Sequence, residues 1–149
     1  MRRTGIADLA VPFVVIGITT YVLLRFSYDS LPPLHLIVPL PLAGLAIVEF
    51  GLARRVRAAV RHDPTARPMA AIAIARAVAL GKASSLVAAA VGGAAVSLLV
   101  RVAPHAAAVT AASNDTTVSG VLLGSCILLM AAGLILERAG IDPSSHRDD

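Results

Sequence analysis

The sequence is poor in the residues from which soluble proteins build their surfaces and sites. Of its 149 residues only 15% are charged and 3% are aromatic, tryptophan is absent, and Cys126 is the one cysteine. About a quarter of a soluble domain is charged. A single cysteine excludes an internal disulfide, and a thiol inside an apolar run is interpreted as a small packing residue. The lack of aromatic side chains also argues against a nucleic-acid partner, although the formal net charge is +4.

Apolar residues are what the chain has in excess. They make up 57% of the sequence, and the mean hydropathy is +0.81. A water-soluble core in so short a chain cannot hide this much apolar surface, so lipid is expected to be the solvent. The sequence predicts an all-α fold, a four-helix transmembrane bundle with the third helix extended into the cytoplasm. The integral membrane domain is expected to cover residues 1–138, with spans at about 8–25, 34–52, 83–101 and 118–136, before a disordered cytoplasmic tail over 139–149.

The first two spans each contain a feature that needs interpretation. The first follows a basic start, as a signal peptide would, but no small-x-small cleavage pattern comes after it, so we expect it to be a retained membrane helix. The second contains Pro39 and Pro41, which remove the hydrogen bonds to the carbonyls of His35 and Ile37. We therefore predict that its outer half is broken and that these carbonyls need a partner from a neighbouring helix or water.

The stretch from Met69 to Val102 has no proline and predicts one helix of 34 residues. Such a helix is about 50 Å long, well beyond a hydrocarbon core of about 30 Å. Lys82 and Arg101 bracket an apolar segment of 18 residues, which suits a single crossing. The turns before Lys82 are therefore predicted to project into the cytoplasm.

A basic loop between the second and third spans sets the predicted topology. Residues 53–68 carry five arginines: Arg54, Arg55, Arg57, Arg61 and Arg67. With four spans, 11 of the 13 lysines and arginines fall on the side of the termini, and only Arg25 and Arg101 on the other. The positive-inside rule then predicts a multi-pass plasma-membrane protein with cytoplasmic N- and C-termini. Anionic lipid headgroups are the expected partners of the loop.

Glu49, near the inner end of the second span, is a candidate site because an ionisable group at membrane depth is costly. The favoured interpretation is an ion pair at the membrane interface with Arg76 or Lys82 of the third helix. The alternatives are a proton- or ion-handling role for Glu49, or an anionic lipid headgroup held by one of the two cations.

Small residues recur every fourth position on the last two spans. The fourth has Gly120-x-x-x-Gly124, and the third has Ala88-x-x-x-Gly92 and Ala89-x-x-x-Gly93-x-x-x-Ser97. Small residues let helix backbones approach closely. We therefore predict that Gly92, Gly93, Gly120 and Gly124 pack the third and fourth helices on each other or on another copy.

Chemistry-bearing residues show no catalytic pattern. His35, His105, Asp29 and Asp115 fall on the outer side, but their spacing matches no metal-ligand motif. The sequence has no nucleophile with a nearby base, no phosphate-binding glycine loop and no CxxC. We expect no catalytic residue, no metal and no cofactor, and so no enzyme.

Three short motifs remain: Arg3-Thr4-Gly5, residues 76–84 (RAVALGKAS), and Leu136-Glu137-Arg138 with Pro143 close behind. With these motifs the sequence resembles an uncharacterised family of small four-span actinobacterial membrane proteins. It implies a plasma-membrane protein without an established activity. That family has a cysteine just after the Glu-Arg pair, where this chain has Ala139 and Gly140, so any role of that thiol is absent here.

These observations favour a non-catalytic membrane protein that associates with other membrane components, either other membrane proteins or itself. The alternative is a small oligomeric transporter or channel that uses the proline-broken second helix and Glu49, because broken helices and buried acids recur in transport sites. An intramembrane enzyme is the least favoured class.

Overall fold

The fold is helical throughout the part of the chain that the structure, a computed structural model, describes: residues 4–27, 35, 37–61, 69–105 and 110–141. Four α-helices follow one another, with a short 3₁₀ helix, Ala103–His105, after the third. They are α1 (Ile6–Ser27), α2 (Leu40–Val60), α3 (Ala71–Val102) and α4 (Thr110–Ala139). The predicted all-α class is confirmed.

Three of the helices, α1, α3 and α4, are long and apolar enough to cross a membrane. The segments that qualify are Ile6–Phe26, Ala71–Val102 and Ser113–Ala139. Helix α2 does not qualify, because Glu49 and three arginines lie within its 21 residues. Composition and length therefore support three of the four predicted spans.

A hairpin of α3 and α4 forms the centre of the molecule. The two helices are antiparallel, so that Gly81 lies opposite Gly133 and Gly92 lies opposite Cys126. Helix α1 packs on α3, while α2 packs mainly on α4 and makes a smaller contact with α3. Among the described residues α1 contacts neither α2 nor α4. The helices therefore form the row α1–α3–α4–α2, an order that the prediction of a four-helix bundle did not specify.

The direction of each helix follows from its contacts. Gly17 of α1 accepts a hydrogen bond from Ser97, and Phe13, one turn earlier, lies against Gly93, so α1 and α3 are parallel. The backbone N–H of Thr4 donates to Oε1 of Glu137 at 2.7 Å. The start of α1 and the end of α4 therefore lie at the same end of the molecule.

Helix α2 runs parallel to α4 and returns the chain from the end of α1 to the start of α3. Three small clusters follow this contact: Leu42 with Leu122 and Cys126, then Ala46 with Leu129 and Ala132, then Ala53 and Val56 with Leu136 and Ala139. At about 1.5 Å per residue, 21 residues span about 32 Å. This length equals that of one membrane crossing.

The prediction that prolines break the second helix is wrong, because α2 begins where they lie. Pro39 is the N-cap and Pro41 falls in the first turn, where a missing N–H leaves no bond unmade. The His35 carbonyl accepts from the N–H of Val38 at 3.0 Å, and that of Ile37 accepts from Leu40 at 3.3 Å. Neither carbonyl needs a partner from another helix.

The first half of the predicted basic loop, residues 53–60, is helical, since α2 continues to Val60 rather than ending near residue 52. Arg54, Arg55 and Arg57 lie on its last two turns, and the N–H of Arg61 bonds to the Arg57 carbonyl at 3.1 Å. Arginine is a good helix former, and cations suit the negative end of the helix dipole. Arg67 lies outside the described residues.

The structure of α3 agrees with the sequence prediction, whereas the bounds of α4 differ from it. Helix α3 is the single long helix that was predicted, and its 32 residues correspond to about 48 Å. Helix α4 begins at Thr110, eight residues before the predicted span, because no proline or glycine interrupts the polar residues before Val118. It also includes Ala139, which is buried; residues 142–149 of the predicted tail lie outside the described part.

Candidate functional site

Glu49 is the most unusual residue of the interior. It shares one face of α2 with Ala46, Ala53 and Val56, and this face packs on the α3–α4 hairpin. The other three side chains are apolar, whereas Glu49 places a carboxyl in the same contact with 0% of its surface exposed. Buried carboxyls are rare unless they are paired.

Neither carboxyl oxygen of Glu49 has a hydrogen-bond partner among the described residues. The side chain of Ser84 on α3 lies against the carboxyl, but outside hydrogen-bonding geometry. The Ser84 hydroxyl is directed to its own helix, where Oγ lies 3.0 Å from the Leu80 carbonyl and 3.2 Å from that of Gly81. The site is thus a buried acid beside a hydroxyl that has acceptors on its own helix.

The cations predicted to pair with Glu49 are not hydrogen-bonded to it. Arg76 is exposed and Lys82 is half-buried. Ser84, which faces Glu49, is two residues from Lys82 and so points about 200° away from it around the helix, while Arg76 lies about two turns below. Ser84 is thus the side chain found against the Glu49 carboxyl, and an ion pair of Glu49 with Arg76 or Lys82 stays a prediction.

A second carboxyl, that of Glu137, is buried near the end of α4. Its Oε1 accepts the N–H of Thr4, while its Oε2 has no hydrogen-bond partner among the described residues. This bond ties the segment before α1 to the last turn of α4. The sequence interpretation used Glu137 only as the end of a span and missed this role, which depends on a contact between residues 133 positions apart.

Gly92 and Gly93 lie at helix contacts, as predicted, but their main partner is α1 rather than α4. A Cβ on Gly93 would collide with the carbonyl oxygen of Phe13 and lie 3.2 Å from the Gly17 nitrogen. One turn on, Ser97 Oγ donates to the Gly17 carbonyl at 2.7 Å. Gly92 borders both neighbours, since a Cβ there would lie 3.6 Å from Cys126 and 3.7 Å from the Phe13 ring.

Gly120 and Gly124 make no helix contact within the described chain. Both are exposed, and a Cβ built on either would have no neighbouring atom within 4 Å beyond its own local backbone. The predicted packing of this pair on α3 is therefore not formed. Packing on another copy stays a prediction.

The closest approach of α3 and α4 uses Gly81 and Gly133, a pair that the sequence interpretation missed. A Cβ on Gly81 would lie 2.7 Å from the Gly133 carbonyl oxygen, and one on Gly133 would lie 2.5 Å from that of Gly81. The sequence contained one indication of this contact. Each of the two long helices has a glycine in its interior, where glycine costs about 1 kcal/mol of helix stability relative to alanine. A search for small residues every fourth position does not find Gly133, which has Leu129 and Glu137 at that spacing, although Gly81 continues the α3 stripe through Ser85.

The two cations assigned to the sparsely charged end come together in the fold. Arg25 of α1 and Arg101 of α3 line one cleft of about 430 Å³ with Tyr21, Val100 and Pro104. This juxtaposition follows from the parallel arrangement of α1 and α3. It places Arg25 and Arg101 at the end opposite Thr4 and Glu137.

The candidate metal-ligating residues are not brought together in the described part of the chain, where no three His, Cys, Asp or Glu side chains are close enough to hold an ion. His35 is exposed, Asp115 is buried on α4, and Asp29 lies outside the described residues. Cys126 is a buried free thiol in the cluster that α4 forms with Leu42 and Ala95, consistent with a packing residue.

An all-helical fold with three apolar helices of membrane-crossing length defines the class of helical membrane proteins. Within that class the chain belongs to the DUF3180 family, described as proteins of unknown function, whose family model matches residues 9–143. The resemblance to an uncharacterised family is confirmed. The chain matches no curated protein and no solved structure.

Proposed function

We propose that the chain is a non-catalytic, multi-pass plasma-membrane protein that acts by associating with another membrane component through the outer face of α4. Four crossings are supported by chain direction. Because α1 and α3 are parallel, the chain must return between them, and α2 has the length to do so. Its charges lie at one end: residues 40–53 contain only Glu49, and the arginines follow.

The proposed orientation rests on the distribution of cations. Arg54, Arg55, Arg57 and Arg61 lie at the end of α2, close to the level at which α3 starts and α4 ends, where Arg76 and Arg138 are found. Only Arg25 and Arg101 line the cleft at the other end. By the positive-inside rule the arginine-rich end is cytoplasmic, and with it both termini.

Cysteine labelling in intact cells tests this orientation. Cys126 is replaced by alanine, and Pro104→Cys and Arg61→Cys are made separately, both positions being exposed at opposite ends. A membrane-impermeant maleimide is expected to label Pro104→Cys in intact cells and Arg61→Cys only after lysis. The reverse pattern would overturn the orientation.

The observation that carries the association is the outward position of Gly120 and Gly124. Interior glycines weaken a helix, and in lipid the gain that offsets this is close approach to another helix. Within the described chain nothing approaches these two glycines. A helix from a second copy or from another membrane protein fits this face, because small residues one turn apart form a shallow groove.

The association is tested by counting subunits and identifying co-purified proteins in native lipid nanodiscs. Gly120→Ile and Gly124→Ile fill the groove and are expected to reduce the associated fraction without unfolding the chain. The matched control is Gly44→Ile on α2, another exposed helix glycine without neighbours within 4 Å, which is expected to change nothing. A wild-type chain that is monomeric and without a co-purified protein in every lipid would overturn the proposal.

A transport function is the second candidate and rests on Glu49 alone, because the broken helix that also favoured it is not present. Ion or solute flux through purified protein in liposomes tests it. Flux that is abolished by Glu49→Gln would favour transport over simple association.

A further inference from the structure

When the Ser84 hydroxyl donates to its own helix, its oxygen can bond the Glu49 carboxyl only as an acceptor. An ionised carboxylate offers acceptors alone, whereas a protonated acid offers one O–H donor. The Ser84 oxygen lies 3.0 Å from the Leu80 carbonyl and 3.2 Å from that of Gly81, and a hydrogen donated to either of them leaves oxygen lone pairs for the carboxyl. Two acceptors would face each other if Glu49 were ionised, and a donor would face an acceptor if it were protonated.

The burial of Glu49 also favours the protonated state of its carboxyl. The carboxyl has no exposed surface, and both its oxygens lack a hydrogen-bond partner among the described residues. Removing an ionised carboxylate from water without a partner is far more costly than removing the neutral acid. The neighbouring apolar residues, Ala46 and Ala53 on the same face, offer no compensation.

No charged side chain described on the elements around α2 is hydrogen-bonded to the Glu49 carboxyl. The charged side chains toward this end are Arg76 and Lys82 on α3, and Glu137 and Arg138 on α4. Arg76 and Arg138 are exposed, and none of the four is hydrogen-bonded to Glu49.

We propose that Glu49 is a proton-binding site in which the neutral acid donates its hydrogen to Ser84 Oγ, and that loss of this proton loosens α2 from the α3–α4 hairpin. A small rotation of the carboxyl brings its O–H into line with Ser84. When the proton leaves, the carboxylate faces lone pairs in an apolar contact and draws water in. Helix α2 is the element to respond, because it is held by α4 and only slightly by α3. All the groups lie within one chain, so the site does not depend on association through α4.

Infrared spectroscopy of the protein in lipid at neutral pH tests the protonation state without a reagent that must reach the site. The C=O band of a protonated carboxylic acid is separate from that of a carboxylate. The wild type is expected to show an acid band with a component that is lost in Glu49→Gln and kept in Glu137→Gln. Absence of an acid band at neutral pH, or its loss in Glu137→Gln alone, would overturn the proposal.

The proposed bond to Ser84 is tested by the position of the same band. Ser84→Ala removes the acceptor, so the band is expected to move to the frequency of an acid without a hydrogen bond. Ser85→Ala is the matched control, since Ser85 is equally buried on α3 and its hydroxyl donates to the Lys82 carbonyl at 2.9 Å. Equal shifts in the two variants would show that Ser84 is not the partner.

The loosening of α2 is tested by backbone hydrogen exchange in lipid, compared between neutral and alkaline pH after correction for the intrinsic exchange rate. Protection of residues 42–58 is expected to fall several-fold in the wild type once the acid band has disappeared, and to stay constant in Glu49→Gln, which cannot ionise. Glu49→Leu serves as a second non-ionisable variant if Glu49→Gln is poorly folded. Protection in α2 that is unchanged in the wild type would refute the coupling.

Discussion

Glycines on the two faces of α4 have opposite surroundings. Gly133 faces inward, where its hydrogen is the only substituent that fits against the Gly81 carbonyl, whereas Gly120 and Gly124 face outward with nothing within 4 Å. The outward pair has the recognised spacing of four, and the inward glycine has no partner at that spacing on its own helix. On α4 the spacing of the glycines along the sequence therefore does not tell which of them packs within the chain; their neighbours across the helix contact do.

The largest effect is expected at the inward face. In Gly133→Ala the added Cβ would lie 2.5 Å from the Gly81 carbonyl oxygen and 3.1 Å from the Ser85 nitrogen, both backbone atoms that cannot rotate away. The two helices must separate, and we expect a loss of about 2–3 kcal/mol in unfolding free energy, at the upper end of the usual cost of overpacking. Reversible unfolding in detergent measures it.

The reciprocal variant sharpens this prediction. Gly81→Ala introduces the same clash from α3, at 2.7 Å from the Gly133 carbonyl oxygen. If each variant forces the same separation, the double variant should lose less than the sum of the two single losses. Strict additivity would mean that the two sites relax independently and that the helices are not in backbone contact here.

A smaller effect is expected at the contact of α1 with α3. Ser97→Ala removes the hydrogen bond from Ser97 Oγ to the Gly17 carbonyl, which joins these two helices. Bonds of this kind between membrane helices contribute about 0.6 kcal/mol on average, and we expect a loss of that order. Ser125→Ala on α4 is the control, because its hydroxyl donates only to Val121 of its own helix. A Ser97→Ala loss no greater than that of the control would contradict the interhelical role.

The helical class and the long α3 could be predicted because hydropathy and the absence of proline are local properties. The bounds of α2 could not. Its prolines are compatible with the first turn of a helix as well as with a break inside one, and its arginines favour a helix C-terminus as much as a loop. The choice depended on where the chain meets α4, through contacts such as Ala46 with Leu129, which a single sequence does not reveal.

The candidate site was found in part. The cost of an acid at membrane depth identified Glu49, but its partner was sought among cations because charge pairing is the commonest solution for a buried carboxylate. Ser84 was not identified from the sequence, because a single serine in an alanine-rich helix matches no motif. Its role depends on where α2 crosses α3 and on the direction of its own hydroxyl, both of which are tertiary features.

The smallest effect is expected at the outward face. In Gly124→Ala the new methyl group has no neighbour within 4 Å, and alanine is the better helix former. For the isolated chain in dilute detergent we expect the unfolding free energy to change by less than about 0.5 kcal/mol, the range usual for surface substitutions. The same variant, studied also in native lipid, shows whether the chain itself or another helix covers this face. A loss of stability in the dilute monomer would mean that the chain itself covers this face, whereas a loss of associated protein with an unchanged monomer is the result expected if another helix docks there.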